Sequence, residues 1–246
     1  MTGMEWEVLK RMLGTEHAQL CSTAIGILPR NELTRSANVD RQRHTAVVLR
    51  LGLFNQLYLL NNIMQRRFRG FRDPDPAVTR LNALLRHYVA GAPLVGPLEA
   101  GELAYKSEEE FNSVHSISVM QQAFVLLHEL GHINAGLASE PNGNLNSEGG
   151  IFEAADFLAD QWAAELFLRR SLGLDRLAPL RRETYLPSLF WLFEYWYLKT
   201  RACGLPAIPV RERWDRLRAH ARSFGLHISE SIVSVTRAST DLILGQ

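Results

Sequence analysis

The chain has 246 residues, with 27 Lys and Arg against 26 Asp and Glu, a formal net charge of +1 and 46% hydrophobic residues. This is the composition of a compact folded protein and excludes a disordered one. So balanced a charge supplies no global field to steer the chain onto nucleic acid or an anionic membrane, and neither is expected as a partner.

At the N-terminus, Glu5 and Glu7 stand where a secretory leader would carry positive charge, and the two cysteines, Cys21 and Cys203, lie far apart in the chain. A reducing, cytoplasmic setting is expected. The longest apolar stretches run from Thr45 to Met64 and from Leu186 to Leu198. The first is broken by Arg50, Asn55, Asn61 and Asn62, and the second is short and contains Glu194, so neither is expected to span a membrane.

Helical apolar periods dominate and strand signals are few, which predicts a mainly α fold with a small sheet, an α+β class. Ala46, Val47, Leu49, Leu53, Leu57, Leu60 and Met64 recur at helical spacing between His44 and Phe68. A second helix is expected from Ala77 to Val89. The Gly- and Pro-rich stretch Ala90 to Gly101 then reads as a boundary. It separates a mostly helical N-terminal region, 1–101, packed on the core, from a domain spanning 102–246. Short strands are expected at Glu102 to Ser107 and Val114 to Ser118. Helices are expected at Ile117 to Leu137, Gly150 to Leu172, Leu186 to Lys199, Val210 to Ser223 and Glu230 to Leu244, with a polar loop from Ser139 to Gly150.

The sequence His128-Glu129-Leu130-Gly131-His132 falls inside one of these helices. Residues four apart on an α-helix differ by about 40° around its axis, so both imidazoles face one side and can share a divalent ion. Glu129 is turned by about 100° from His128, near enough to reach a water on that ion without being a ligand. The apolar run Ala123 to Leu127 leads into the motif, and burying a Glu beside two His there is costly without a metal or partner.

A zinc site needs a third protein ligand and one open position. Glu153, Asp156 and Asp160 follow on the next helix at offsets of three and four, which puts three carboxylates on one face. Asp156 is expected as the third ligand, with Asp160 holding the N–H of a ligating His; the alternative is Glu153 as ligand with Asp156 in the orienting role. Gly131, Ala155, Ala159 and Ala163 are small enough to let the two helices approach for the short Asp side chain.

These residues resemble the intracellular zincin metallopeptidases of gluzincin type, among them the ImmA/IrrE-like and the Lit-like phage-exclusion peptidases. Their second helix usually carries Glu-x-x-Ala-Asp-x-x-Ala, the Glu ligating zinc and the Asp orienting a zinc-bound His. Asp156, Ala159, Asp160 and Ala163 match that pattern here, with Asp in place of the usual Glu. The segment Pro206 to Arg213 is a weak further match. The resemblance implies a zincin-like metallopeptidase domain holding one zinc ion. It would cleave a specific intracellular protein or peptide by metal-activated water, with Glu129 as general base. The alternative is a non-catalytic regulatory or antitoxin-like binding protein on the same scaffold. An intact Glu129 counts against it. For an oxyanion donor, His115, His227, Tyr195 and Arg211 are chemically able, and none is singled out.

Overall fold

The computed structural model describes residues 9–28, 37–40, 46–68, 107–134, 149–171, 185–202 and 208–244. A 3-10 segment, Thr15–Ser22, precedes three short strands, β1 (Ala24–Leu28), β2 (Ala37–Asp40) and β3 (Ala46–Arg50). Six α-helices follow: α1 (Leu51–Phe68), α2 (Glu108–Asn134), α3 (Gly149–Ser171), α4 (Tyr185–Ala202), α5 (Ile208–Arg222) and α6 (Glu230–Leu244).

The expected α+β class is overturned. The part of the chain that carries most of the core and the candidate ligands is helical, and beyond Arg50 no described residue lies in a strand. Val114 to Ser118, expected as a strand, lies inside α2. The physical reason is the depth of its burial: Val114, Ile117, Ser118 and Gln121 are all buried at offsets of three and four, the period of a helix and not of a strand. The helix is also well started. The Ser107 hydroxyl accepts the Glu110 N–H at 3.1 Å, and Glu108, Glu109 and Glu110 fill the positively polarised first turn.

A second correction concerns Ala46 to Arg50, which is strand β3 and not the start of the helix. It pairs in parallel with β1, Ala24 opposite Ala46, and antiparallel with β2, Asp40 opposite Ala46. These strands form a small ribbon beside the helical body and supply Val47 to its core. The expected helix at Ala77 to Val89, the boundary at Ala90 to Gly101 and the strand from Glu102 fall outside the described residues, apart from Ser107.

One hydrophobic core runs through the molecule and draws on side chains from Leu9 to Ile243. Its axis is α2, whose residues Ala123 to His132 are buried without a break, as expected of a helix surrounded by others. Helices α1, α3 and α4 pack on it. Polar side chains fix the register of α1, α2 and α4. The Asn61 amide donates to Ser118 Oγ at 2.9 Å and to Gln121 Oε1 at 2.8 Å, and the Gln121 amide returns one bond to Asn61 at 3.0 Å and gives another to the Ser188 carbonyl at 2.9 Å. Pro187 sits in the first turn of α4, where its missing N–H costs nothing. The turn that follows α5 closes at Gly225, whose φ of 70° lets the Leu226 N–H reach the Ala221 carbonyl at 3.2 Å. Among the described residues, no helix is long and apolar enough to cross a membrane.

Candidate metal centre

Helix α2 delivers His128 and His132 to one side of its axis, and α3 delivers Asp156 opposite them. The two Nε2 atoms are 3.2 Å apart. Asp156 Oδ1 lies 3.4 Å from His132 Nε2 and 3.8 Å from His128 Nε2. Ligands held about 2.0–2.1 Å from a tetrahedral ion stand about 3.3–3.4 Å from one another, so this triangle is the size such an ion requires. The three residues form a group that could hold a metal ion. Both imidazoles are buried, whereas the Asp156 side chain is 39% exposed, so the cluster opens to solvent on that side.

The approach of α3 is set by small residues. A methyl group added at Gly131 would stand 3.0 Å from the Ala159 Cα and 3.1 Å from its carbonyl oxygen, closer than ordinary packing allows. Ala159 and Ala163 are fully buried along the same contact. This proximity is what lets a side chain as short as Asp156 reach the imidazoles.

Behind the triangle stands Asp160, four residues from Asp156 on the same face of α3. Its Oδ1 lies 2.8 Å from His128 Nδ1. A proton held there leaves the His128 Nε2 lone pair facing the cluster. The acidic partners raise the affinity of His128 for its proton above the ordinary imidazole value. Burial opposes this, and it is outweighed by the Asp160 contact first and by the charges of Asp160, Glu129 and Asp156 after it. Among the described residues, His128 Nδ1 and His132 Nδ1 are both buried without a well-aligned hydrogen bond, and only the first has a carboxylate oxygen at ion-pair distance.

Arg213, on α5, completes the site. Its Nε and Nη2 donate to the two oxygens of Asp160 at 2.5 and 2.9 Å, and Nη1 donates to Asp156 Oδ2 at 3.1 Å. Asp156 therefore divides its oxygens, Oδ1 toward the histidines and Oδ2 toward the guanidinium. Burial alone would raise the pKa of either carboxylate. Asp156 is instead held well below the usual range, by its bond with His132 and then by the Arg213 charge. Asp160 is lowered too, chiefly by the Arg213 charge and the His128 contact. The same two acids raise the already high pKa of Arg213 against its own burial. Its guanidinium also lies 5.1 Å from the centre of the Trp196 ring, which in turn is 5.8 Å from that of His128.

Glu129 is buried within the turn between the two histidines. Burial pushes its carboxyl upward, and the nearby His128, His132 and Arg213 pull it only partly back.

The structure thus brings His128, His132, Asp156 and Asp160 together, with Glu129 in the same turn. Glu153 belongs to the first part of α3, where side chains lie outside the described set. Arg213 was touched in the sequence only as the end of a weakly matching segment, and nothing local marked it as a partner of Asp160, 53 residues away. The residues considered as oxyanion donors are engaged elsewhere or set apart. The Tyr195 hydroxyl donates to Gln56, Arg211 lies 3.7 Å over the Tyr197 ring, His115 stacks on Phe111, and His227 is exposed between α5 and α6.

No protein-family model, curated protein or solved structure matches the chain. The geometry of this cluster therefore carries the functional reading alone.

Proposed function

We propose that the protein is a zinc-dependent peptidase that hydrolyses a peptide bond in a protein substrate. The observation that supports this reading best is the convergence of two Nε2 atoms and one carboxylate oxygen within 3.2 to 3.8 Å, with Glu129 in the intervening turn. A set of two imidazoles and one carboxylate is the chemistry of a catalytic zinc site, whereas closed structural sites favour cysteine. Both cysteines, Cys21 and Cys203, are remote in sequence from the three ligand positions.

Zinc, when bound, would supply an acidified water and a Lewis acid for the scissile carbonyl. Each protein group then has a definite task. His128, His132 and Asp156 Oδ1 would hold the ion, and Asp160 would keep the His128 ring in the tautomer that ligates. Arg213 neutralises the paired carboxylates and fixes both in place. Glu129 takes the proton of the attacking water and returns it to the departing amine, so that no covalent link to the protein forms.

The test is the Glu129→Gln variant, which keeps the shape of the side chain and removes the base. Wild type and variant are compared for zinc content by elemental analysis and for cleavage of a mixed synthetic peptide library by mass spectrometry. Equal zinc content is expected, with cleavage lowered about 10²–10⁴-fold in the variant. Equal cleavage by the two proteins would overturn the reading.

A further inference from the structure

Trp196 touches two parts of the metal centre, a ligand and the clamp, without belonging to either. Its ring centre lies 5.8 Å from that of His128 at an interplanar angle of 50°, and the Arg213 guanidinium lies over its face at 5.1 Å. It stands where α4 leaves the core: Ser188 to Tyr195 are buried without a break, and Trp196 is the first partly exposed residue after them. Phe193, three residues earlier, meets the indole edge-on with ring centres 5.0 Å apart and lies 5.7 Å from the same guanidinium. Aromatic pairs at these separations attract, and so does a cation over an aromatic face. The aromatic surface also offers Arg213 no competing acceptor, so its N–H groups stay with Asp156 and Asp160.

We propose that Trp196 is a positioning residue of the metal centre, its indole backing the His128 ring and the Arg213 guanidinium at once and so holding ligand and clamp in one fixed relation. The proposal rests on the metal-centre reading above and not on cleavage. Asp160 meets His128 at a single ring atom, Nδ1, at 2.8 Å and without a well-aligned hydrogen bond. One contact point leaves the imidazole free to tilt, and a tilt swings Nε2 away from the position an ion requires. The indole blocks that movement. The second ligand depends on it too, because the His132 ring stands edge-on to that of His128, 4.7 Å away at 86°. Trp196, His128 and His132 thus form a row in which each ring is set by the one before it.

The test uses the full chain, first free of metal and then titrated with Co²⁺. In the metal-free protein with isotope-labelled histidine, the Cε1–H NMR signal of His128 reports whether its ring holds one orientation. Visible absorption of the Co²⁺-loaded protein reports the geometry and affinity of the site. Trp196→Leu removes the aromatic face, Trp196→Phe keeps one, and Trp191→Phe removes another indole of α4, whose Nε1 donates instead to Thr236 at 3.2 Å. Wild type and Trp191→Phe are expected to give one sharp His128 signal and the same Co²⁺ bands. In Trp196→Leu the signal is expected to broaden or split, the bands to shift and Co²⁺ affinity to fall about tenfold, with most of each effect restored in Trp196→Phe. Urea unfolding verifies that each variant folds, and Trp196→Met, apolar and without a π face, takes the place of Trp196→Leu if that variant does not. An unchanged His128 signal without the aromatic face would overturn the proposal, and so would an equal response in Trp191→Phe. Failure of wild type itself to bind Co²⁺ would strike the metal centre instead, a result that the metal-free His128 signals do not depend on.

Discussion

Gly131 lies directly against the backbone of Ala159, and this contact sets the distance across which Asp156 meets the two histidines. A Cβ at 131 would come within 3.0 Å of the Ala159 Cα, and backbone cannot swing aside as a side chain can. Gly131→Ala is therefore expected to cost about 1–3 kcal/mol as an overpacking change. It is also expected to weaken metal binding by moving α3 away from α2. Denaturant unfolding and a zinc titration on the same protein check both effects; a variant with unchanged affinity would show that the helix separation does not govern the site.

Asp156 and Asp160 make separable predictions. Asp156→Asn removes the charged oxygen that faces both Nε2 atoms and is expected to lower zinc stoichiometry in elemental analysis, whereas Glu153→Gln is expected to leave it unchanged. The opposite result would assign the third ligand to Glu153. Asp160→Asn keeps the three ligands and is expected to lower affinity about 10–100-fold, the effect usual for a residue that orients a ligating His.

Arg213→Met tests the clamp. It leaves Asp160 buried without its cation, and breaking a buried pair in this way costs about 3–5 kcal/mol. The loss is expected to be smaller when zinc is present, because a second cation then faces Asp156. Thermal unfolding with and without zinc measures the difference. An equal loss in both conditions would mean that the guanidinium and the ion do not act on a common charge.

Glu194 gives a pH dependence away from the metal. It is buried in α4, accepts a 2.8 Å bond from Thr240, and has Arg211 and Arg237 at 3.6 and 3.8 Å, with Asp241 nearby. Burial outweighs these partners and raises its pKa above the ordinary 4.5. The folded state then binds this proton more tightly than the unfolded one, so stability falls as pH rises from about 4.5 through the raised value. Relative to Glu194→Gln, wild type is expected to lose stability over that interval and to run parallel below it, as read from urea midpoints across pH. The reverse slope would mean that the two arginines dominate.

Much of the site was legible because its spacing is that of a single helix. His128 and His132 are bound to share a face, and so are Asp156 and Asp160. Gly131, Ala159 and Ala163 announced a close helix contact by size alone. Arg213 was not legible, since its role depends on how α5 docks against α3, and no local pattern encodes that docking. The fold was read less well. Val114 and Ile117 are β-branched, which suits the strand expected at Val114 to Ser118, but burial on several sides overrode that propensity. Ala46, Val47 and Leu49 suited a helical period, yet pairing with β1 and β2, which local sequence does not reveal, makes them a strand.

The bond from Arg213 to Asp156 Oδ2 has a consequence for ion selection. With that oxygen committed, the aspartate can offer an incoming cation one atom and not two, and the described residues present two nitrogens and a single oxygen. Calcium asks for six to eight oxygens, and magnesium keeps an octahedral, largely hydrated shell. Neither abundant alkaline-earth ion would find an oxygen-rich shell among these atoms, so in the proposed metal site discrimination against them would follow from the denticity of one side chain before any difference in affinity among transition metals is reached.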